Sequence, residues 1–315
     1  MKATKENPFP KDFEEFLNWF SSEEDCQEYL EWVRWGDGFK CPQCGHDKFW
    51  RLNNGLWKCK SCLHRSSVTS GTVFDRKRKS LRLWFHVMWL LMAQKTGISA
   101  QNFQDTFGFG SYQTTWGWLQ KLRSVMIRTG RDKLSGRIEL DETYIGGQKE
   151  GKRGRGAECK TLVLVGVEGE KGETLGRVRF RIIDSPCSAV IKSFVSDYVA
   201  DGSTIVTDGL KSYEFLKELN VIHKPYTLSA GTLNEESNLE HVHLVISLLK
   251  RWLLGTHQGA VTPSHLSGYL DEFAFRFNRR LSTHRGKLFY RLMQQVVTTK
   301  ARPTKDLYMH KAVKK

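Results

Sequence analysis

The sequence contains no apolar run of the roughly 18 residues at which a helix can span a bilayer. Its first ten residues also lack the apolar core of a secretory signal peptide. Acidic residues are in deficit, because 34 Asp and Glu stand against 49 Lys and Arg and leave a net charge of +15. We therefore expect a cytoplasmic protein with no membrane partner. The charge indicates a polyanionic partner, most simply nucleic acid, or else only a soluble basic protein.

Cysteine is also scarce, with seven among 315 residues. In a reducing compartment this number argues against a disulfide framework and for a metal site plus isolated thiols. Four of the cysteines form two CxxC pairs, Cys41 with Cys44 and Cys59 with Cys62. This spacing predicts a zinc ribbon in which four thiolates complete a tetrahedral structural site, with no position open for catalysis.

Basic and aromatic side chains are interleaved around the predicted ribbon. Arg51, Lys58 and Lys60 lie close in sequence to Trp50 and Trp57. This mixture is typical of a nucleic-acid contact, although a small zinc-stapled domain with a solvated basic face has the same pattern.

Two short helices with a glycine-rich turn are predicted between residues 99 and 122. The spacing fits a helix-turn-helix whose second helix carries Gln113, Lys121 and Arg123 toward DNA. An ordinary helical hairpin fits the same residues.

The segment Arg137 to Gly147, RIELDETYIGG, predicts a strand that ends in a turn. Alternation puts Glu139 and Asp141 on one face of this strand and Glu142 on the other. An acid within a strand needs a partner to offset its desolvation, and either a metal ion or a buried arginine would serve.

The next basic residues, Lys152, Arg153 and Arg155, lie in a glycine-rich loop that forms either a solvated hairpin end or a clamp for a phosphate backbone. Strands are then predicted at 160–168, 174–183, 203–207 and 221–226, and helices at 188–199 and 211–219. Asp208 follows the third of these strands. Three antiparallel strands, a helix, a strand, a helix and a strand match the element order of a ribonuclease-H-like sheet.

A helix over residues 236–254 carries a polar stripe. His243 and Lys250 are two turns apart and point the same way, and Glu240 lies beside them. Such a stripe is often only a solvated face. Here it comes after Asp208, where a third metal ligand is expected.

These motifs together resemble the DDE-type transposases of bacterial insertion sequences that carry an N-terminal zinc ribbon, the ISXO-like group. The matching elements are the ribbon cysteines, LDETYIGG, VTDGLKSY, SLLKRWLLGTHQG and YLDEFAFRFNRR, in the family's order and over roughly residues 25–285. The resemblance implies a ribonuclease-H-like catalytic domain, two Mg²⁺ or Mn²⁺ ions and a structural Zn²⁺. It also implies binding to the terminal inverted repeats of the element and to target double-stranded DNA.

By the same resemblance, Asp141 is the first catalytic acid, Asp208 the second, and Lys250 a phosphate contact. The third position, usually an acid, is His243, and imidazole suits Mn²⁺ better than Mg²⁺. Glu240, one turn earlier, is the alternative ligand. Arg251, Arg279 and Arg280 in the matched runs are further expected DNA contacts. Two element ends must be held together, which favours a homodimer or a higher oligomer.

The predicted fold class is therefore a multidomain α+β protein. Its parts are a helical lead-in (1–35), a four-cysteine zinc ribbon (36–75), a helix-turn-helix-like region (80–130), a ribonuclease-H-like domain (136–285) and a basic tail (286–315). The predicted function is a transposase that cuts and joins DNA strands. The alternatives are a catalytically degenerate or non-catalytic zinc-ribbon DNA-binding protein, and a nuclease of the same fold that cleaves without joining.

Overall fold

The computed structural model describes residues 3–128, 130–146, 160–170, 172, 174–226, 239–259 and 261–299. The chain divides into two compact units, residues 1–128 with 281–315, and residues 129–280. Among the described residues, no helix is long and apolar enough to cross a membrane.

The described part of the first unit contains a small three-stranded sheet and six helices. Its elements are α1 (Phe13–Trp19), α2 (Glu23–Trp35), β1 (Phe49–Arg51), β2 (Trp57–Cys59), β3 (Arg65–Ser66), α3 (Leu81–Ala93), α4 (Ala100–Phe107), α5 (Tyr112–Arg123) and α9 (Gly286–Thr298). The strands pair antiparallel in the order β1-β2-β3. Ser22 and Asp25 form a capping box that starts α2, because each side chain accepts a backbone N–H of the other residue.

Aromatic rings fill the helical core of this unit. Phe20, the residue that follows α1, meets Phe85 of α3 edge to face with ring centroids 4.9 Å apart, and Phe16 of α1 meets Phe289 of α9 at 5.5 Å. These rings are fully buried. Edge-to-face aromatic pairs stabilise a fold beyond the contribution from the burial of their apolar surface. In this structure, residues 286–298 of the predicted basic tail (286–315) form α9. Its Leu288, Leu292 and Val296 recur every fourth residue, so one face is apolar and packs inward although basic residues surround it.

Helices α4 and α5 are joined by a short turn. Gly108, with φ of 64°, ends α4 in the left-handed conformation that glycine adopts without steric cost. Ser99 caps α4 by accepting the Asn102 amide, whereas the Ser111 side chain makes no capping hydrogen bond to α5. Trp118 of α5 stacks on Trp84 of α3 with centroids 3.5 Å apart, which fixes α5 within the unit.

The second unit is built on one five-stranded sheet. Its elements are β4 (Arg137–Ile145), β5 (Thr161–Glu168), β6 (Val178–Ile183), α6 (Ser188–Tyr198), β7 (Thr204–Asp208), a 3₁₀ helix (Lys211–Glu218), β8 (Ile222–Tyr226), α7 (Glu240–His257) and α8 (Pro263–Phe277). The strand order is β6-β5-β4-β7-β8. Strands β4, β5 and β6 are antiparallel neighbours, and β7 and β8 run parallel to β4. The predicted combination of helices and sheets, with a cysteine cluster N-terminal to the larger sheet, is thus confirmed.

Helices cover both faces of this sheet. Val163, Val165 and Val206 pack with the apolar sides of α7 and α8, and Ile138 and Leu140 pack with α6 and the 3₁₀ helix. Because consecutive strand residues face opposite sides, the first half of β4 is covered on both faces by packed helices. An acidic residue on this strand must therefore find its partner within the protein or at the edge of the apolar layer.

Candidate active site and zinc ribbon

Asp141 and Asp208 occupy equivalent places on two neighbouring strands. The parallel register of β4 and β7 pairs Glu139 with Val206, and two residues further along each strand come Asp141 and Asp208. Neighbouring strands lie about 4.8 Å apart, so the two carboxylates lie on the same face near the ends of the paired segments. Burial raises the pKa of the Asp141 carboxyl, and the negative charge of Asp208 adds to this, while the Glu142 amide and His243 oppose it.

His243 of α7 faces Asp141. Its Nε2 lies 3.3 Å from Asp141 Oδ2, and its side chain remains 63% exposed, so the ring is open to a ligand from solvent. Glu240, the alternative from the sequence, is the first residue of α7 and is exposed. Lys250 lies on the same helix, close enough for Asp141 to influence it. Burial and the like charge of Lys160 lower the pKa of Lys250, and Asp141 opposes that shift.

Two further carboxylates on β4 have protein partners. Glu139, 1% exposed, pairs with Arg137, whose Nη1 lies 2.6 Å from Glu139 Oε1. Glu142, on the opposite face, accepts a hydrogen bond of 2.7 Å from the Tyr213 hydroxyl. Arginine thus neutralises Glu139, which is one of the two solutions that the sequence left open. The sequence did not identify Tyr213. The one indication of Tyr213 in the sequence is its position shortly after Asp208.

The four ribbon cysteines form the tightest potential metal site. Their Sγ atoms all lie within 4.8 Å of one another, and no other group of three or more His, Cys, Asp or Glu in the described part of the chain is so compact. Cys41 and Cys62, and likewise Cys44 and Cys59, have sulfurs 3.6 Å apart. Tetrahedral thiolates about 2.3 Å from a zinc ion would lie about 3.8 Å apart, so the cluster has the right size for zinc.

The environment of Cys59 favours a thiolate. Although burial opposes it, hydrogen bonds from the backbone amides of Cys62 and Ser61 lower the pKa of the Cys59 thiol. Against a hydrogen bond with the His64 backbone, burial and the other three thiols raise the pKa of the Cys62 thiol. Trp57 and Phe39 stack beside the cluster with centroids 5.4 Å apart. The donor set and its surroundings therefore fit the predicted structural zinc site.

The ribbon also presents a basic aromatic surface. Trp50 is 45% exposed, and the ammonium groups of Lys58 and Lys60 lie 5.5 Å and 5.4 Å from its ring centre. Arg51 is exposed and pairs with Glu31 at 3.0 Å. Lys58 and Lys60 thus flank one exposed ring, whereas the Arg51 guanidinium lies 5.3 Å from the ring centre of the buried Trp57.

The other predicted DNA contacts differ in accessibility. Gln113 is exposed at the start of α5, Lys121 is half-buried, and Arg251 is exposed on α7. Arg123 is 1% exposed, so it is not available to a DNA backbone in this structure. The helical spacing that placed it beside Lys121 could not indicate that the end of α5 is covered by the rest of the unit.

Arg279 and Arg280 are half-buried and contact their own unit. Arg279 donates to the Phe275 carbonyl, and Arg280 donates to the carbonyls of Gly176 and Leu175. These hydrogen bonds use guanidinium N–H groups of two arginines that we predicted from the sequence to contact DNA. The predicted contacts Lys152, Arg153 and Arg155 lie outside the described residues.

Comparison with known proteins defines the class of the molecule as a transposase with a zinc ribbon. Residues 133–278 match the family described as ISXO2-like transposase domain, and residues 21–65 match the transposase zinc-ribbon domain. The chain thus carries two domains of insertion-sequence transposases, a transposase zinc ribbon and an ISXO2-like transposase domain.

A relative and a solved structure are also similar to the chain. The relative is an uncharacterized protein in transposable element ISH50 of Halobacterium salinarum, 25% identical over 276 residues that cover 82% of this chain and 91% of that protein. The solved structure is a simian T-cell lymphotropic virus intasome in complex with PP2A regulatory subunit B56 gamma. The match is 10% identical with a TM-score of 0.29 and covers 53% of this chain, and the chain spans only 61% of the chain it matches there.

Proposed function

We propose that this protein is a DDE-type transposase of the Asp-Asp-His kind, which binds the terminal inverted repeats of an insertion sequence and cuts and joins DNA strands. The observation that carries the proposal is the convergence of three side chains within a transposase-family domain. Asp141 and Asp208 lie at matching positions on β4 and β7, and His243 of α7 lies 3.3 Å from Asp141. The strand order and directions of the five-stranded sheet support a ribonuclease-H-like arrangement of this domain.

In this proposal Asp141 and Asp208 would hold two divalent ions, and His243 would be a further ligand for one of them. When bound, such ions stabilise the attacking and leaving oxygens of a phosphodiester. Burial, with a smaller contribution from the charge of Asp208, raises the pKa of Asp141, and a bound cation would offset both of these costs of the ionised carboxylate. Lys250, on the same helix and within reach of the Asp141 charge, contacts a phosphate beside the scissile bond.

DNA binding is assigned to the first unit and to basic residues near the active site. The ribbon (36–75) offers Lys58 and Lys60 beside Trp50 together with the exposed Arg51, and the helical region (80–130) offers Gln113 and Lys121. The catalytic domain (136–285) contributes Arg251 from α7. A homodimer or a higher oligomer would hold two element ends, and the four cysteines would bind one structural Zn²⁺.

The test is metal-dependent cleavage of a terminal inverted repeat by the full chain. Asp141→Asn and Asp208→Asn keep the side-chain shape and remove a charge, so each should abolish cleavage while DNA affinity stays within about twofold, because phosphate contacts elsewhere dominate binding. His243→Ala should lose most activity. His243→Glu restores a hard oxygen donor and should stay active with a preference shifted from Mn²⁺ toward Mg²⁺.

Glu240→Gln is the matched control, since it changes an exposed acid one turn away on the same helix. It should cleave normally. If Glu240→Gln is inactive and His243→Ala is normal, the third ligand is Glu240. If the wild-type chain binds the repeat but never cleaves it, the protein is a DNA-binding protein without catalysis. Cleavage without strand transfer would indicate a nuclease.

A further inference from the structure

The start of helix α7 has no cap of its own. Its N-cap residue is Leu239, whose side chain cannot accept a hydrogen bond. The first backbone bond of the helix runs from the His243 amide to the Leu239 carbonyl, so the amides before His243 need acceptors from elsewhere. This matters for function because His243 lies in the first turn, where an uncapped helix frays most easily.

A carboxylate from another element supplies the missing cap. Glu139 of β4 accepts the Val242 amide through Oε2 at 2.8 Å, in a contact that is buried on both sides. Its other oxygen, Oε1, lies 2.6 Å from Arg137 Nη1 and 3.2 Å from His241 Nδ1. A negative charge at a helix N-terminus is favoured by the helix dipole as well as by the hydrogen bond. Glu139 therefore joins the strand of Asp141 to the helix of His243.

The surroundings hold this carboxylate in one position. Arg137 also donates to the Gly169 carbonyl at 3.1 Å, which anchors the guanidinium to the end of β5. The His241 ring lies over Gly169 so closely that a Cβ there would come within 2.8 Å of its Nδ1. The first turn of α7 is thus fixed against β4 and β5 by one carboxylate, one guanidinium and one ring.

We infer that Glu139 is a positioning residue, which holds the first turn of α7 on β4 and thereby sets His243 against Asp141. Glu139 and Asp141 are two residues apart on the same face of one strand, and Val242 and His243 are adjacent on one helix. A single rigid strand therefore determines the distance between two of the three proposed ligands. The inference rests on the proposed function for its catalytic consequence, but not for the helix contact itself.

Two conservative substitutions of Glu139 distinguish the effect of side-chain length from the effect of charge. Glu139→Gln keeps an oxygen that can accept the Val242 amide but loses the charge that faces Arg137. Glu139→Asp keeps the charge but is one methylene too short to reach. If the hydrogen bond to α7 is what matters, the glutamine variant should resemble wild type, and the aspartate variant should not.

The first measurement is hydrogen exchange on the metal-free full chain. In Glu139→Asp, amides of residues 239–243 should exchange roughly tenfold faster or more, because a buried bond to a charged acceptor is lost. Amides of β4 and β5 should keep their protection. Glu168→Ala is the matched control, because Glu168 is also ion-paired, to Arg177, within the same sheet. It should leave the first turn of α7 protected.

The second measurement is the Mn²⁺ concentration for half-maximal cleavage. Glu139→Asp should raise it several-fold with DNA affinity unchanged, and Glu139→Gln should restore it toward wild type. Protection retained in the aspartate variant, or an aspartate variant that outperforms glutamine, would overturn the inference, since charge alone would then matter. A frayed first turn with an unchanged Mn²⁺ requirement would also overturn it. If wild type never cleaves, the proposed function fails, and the exchange result still decides the helix contact.

Discussion

Replacing Cys59 by serine should unfold the zinc ribbon and leave the second unit intact. Cys59 is fully buried, its sulfur lies 3.6 Å from that of Cys44, and it accepts the Ser61 amide. A serine hydroxyl is a poor ligand for a site built from soft thiolates. The substitution therefore removes one of four ligands at the centre of the module.

The magnitude follows from how little else holds the ribbon. Its buried apolar cluster consists of four residues, Phe39, Cys41, Trp57 and Cys59, two of which are candidate ligands themselves. Segments of fewer than about 40 residues rarely fold without a metal or disulfides. Structural zinc contributes about 10–16 kcal/mol at neutral pH, as much as the whole free energy of unfolding of a typical domain, about 5–15 kcal/mol. Loss of the metal should thus be decisive for this module.

Metal analysis and hydrogen exchange together test the prediction. Wild type should contain about one zinc per chain, and Cys59→Ser should lose it. Peptides from residues 41–66 should then exchange at nearly unprotected rates, while β4 and β5 stay protected. Cys187→Ser is the control, because Cys187 is exposed and outside the cluster. A Cys59→Ser protein with full zinc content and a protected ribbon would refute the assignment of the site.

Three further predictions concern the active site and the ribbon surface. Burial raises the pKa of Asp141, so the contribution of this carboxyl to stability is present below its unfolded pKa and is lost as pH rises through its folded pKa. The melting temperature of the metal-free Asp141→Asn variant should therefore exceed that of wild type by an amount that grows with pH. Parallel curves of melting temperature against pH for the two proteins would contradict this. Lys60→Ala should weaken binding to all DNA sequences and lower the slope of log affinity against log salt concentration by about one. Lys192→Ala, on the exposed surface of α6, is the control and should change neither. An unchanged slope for Lys60→Ala would mean that Lys60 does not contact DNA phosphate. Tyr213→Phe should lower the free energy of unfolding by about 1–3 kcal/mol in urea titrations, because it removes the donor to half-buried Glu142; a neutral result would mean that another donor replaces it.

Several features of the site follow from local sequence alone. Alternation along β4 put Asp141 and Glu142 on opposite faces, as their contacts with His243 and Tyr213 require. The two CxxC pairs identified the sulfur cluster, because the spacing within each pair brings both sulfurs to one knuckle. Helical periodicity placed His243 and Lys250 on one side of α7. These are short-range properties, and the residues within each motif determine them.

Tertiary packing decided the rest. Arg123 has the sequence context of a surface arginine, yet it is buried, and residues 286–298 lie in a segment with the composition of a tail, yet they form α9. Nothing within β4 indicates that Glu139 caps a helix about a hundred residues away, because the Val242 amide reaches it only once the sheet and α7 have packed together. A residue's type and periodicity limit which face it occupies. Its partner across the core depends on how the apolar faces of distant segments are buried together, and that free energy is shared by the whole unit.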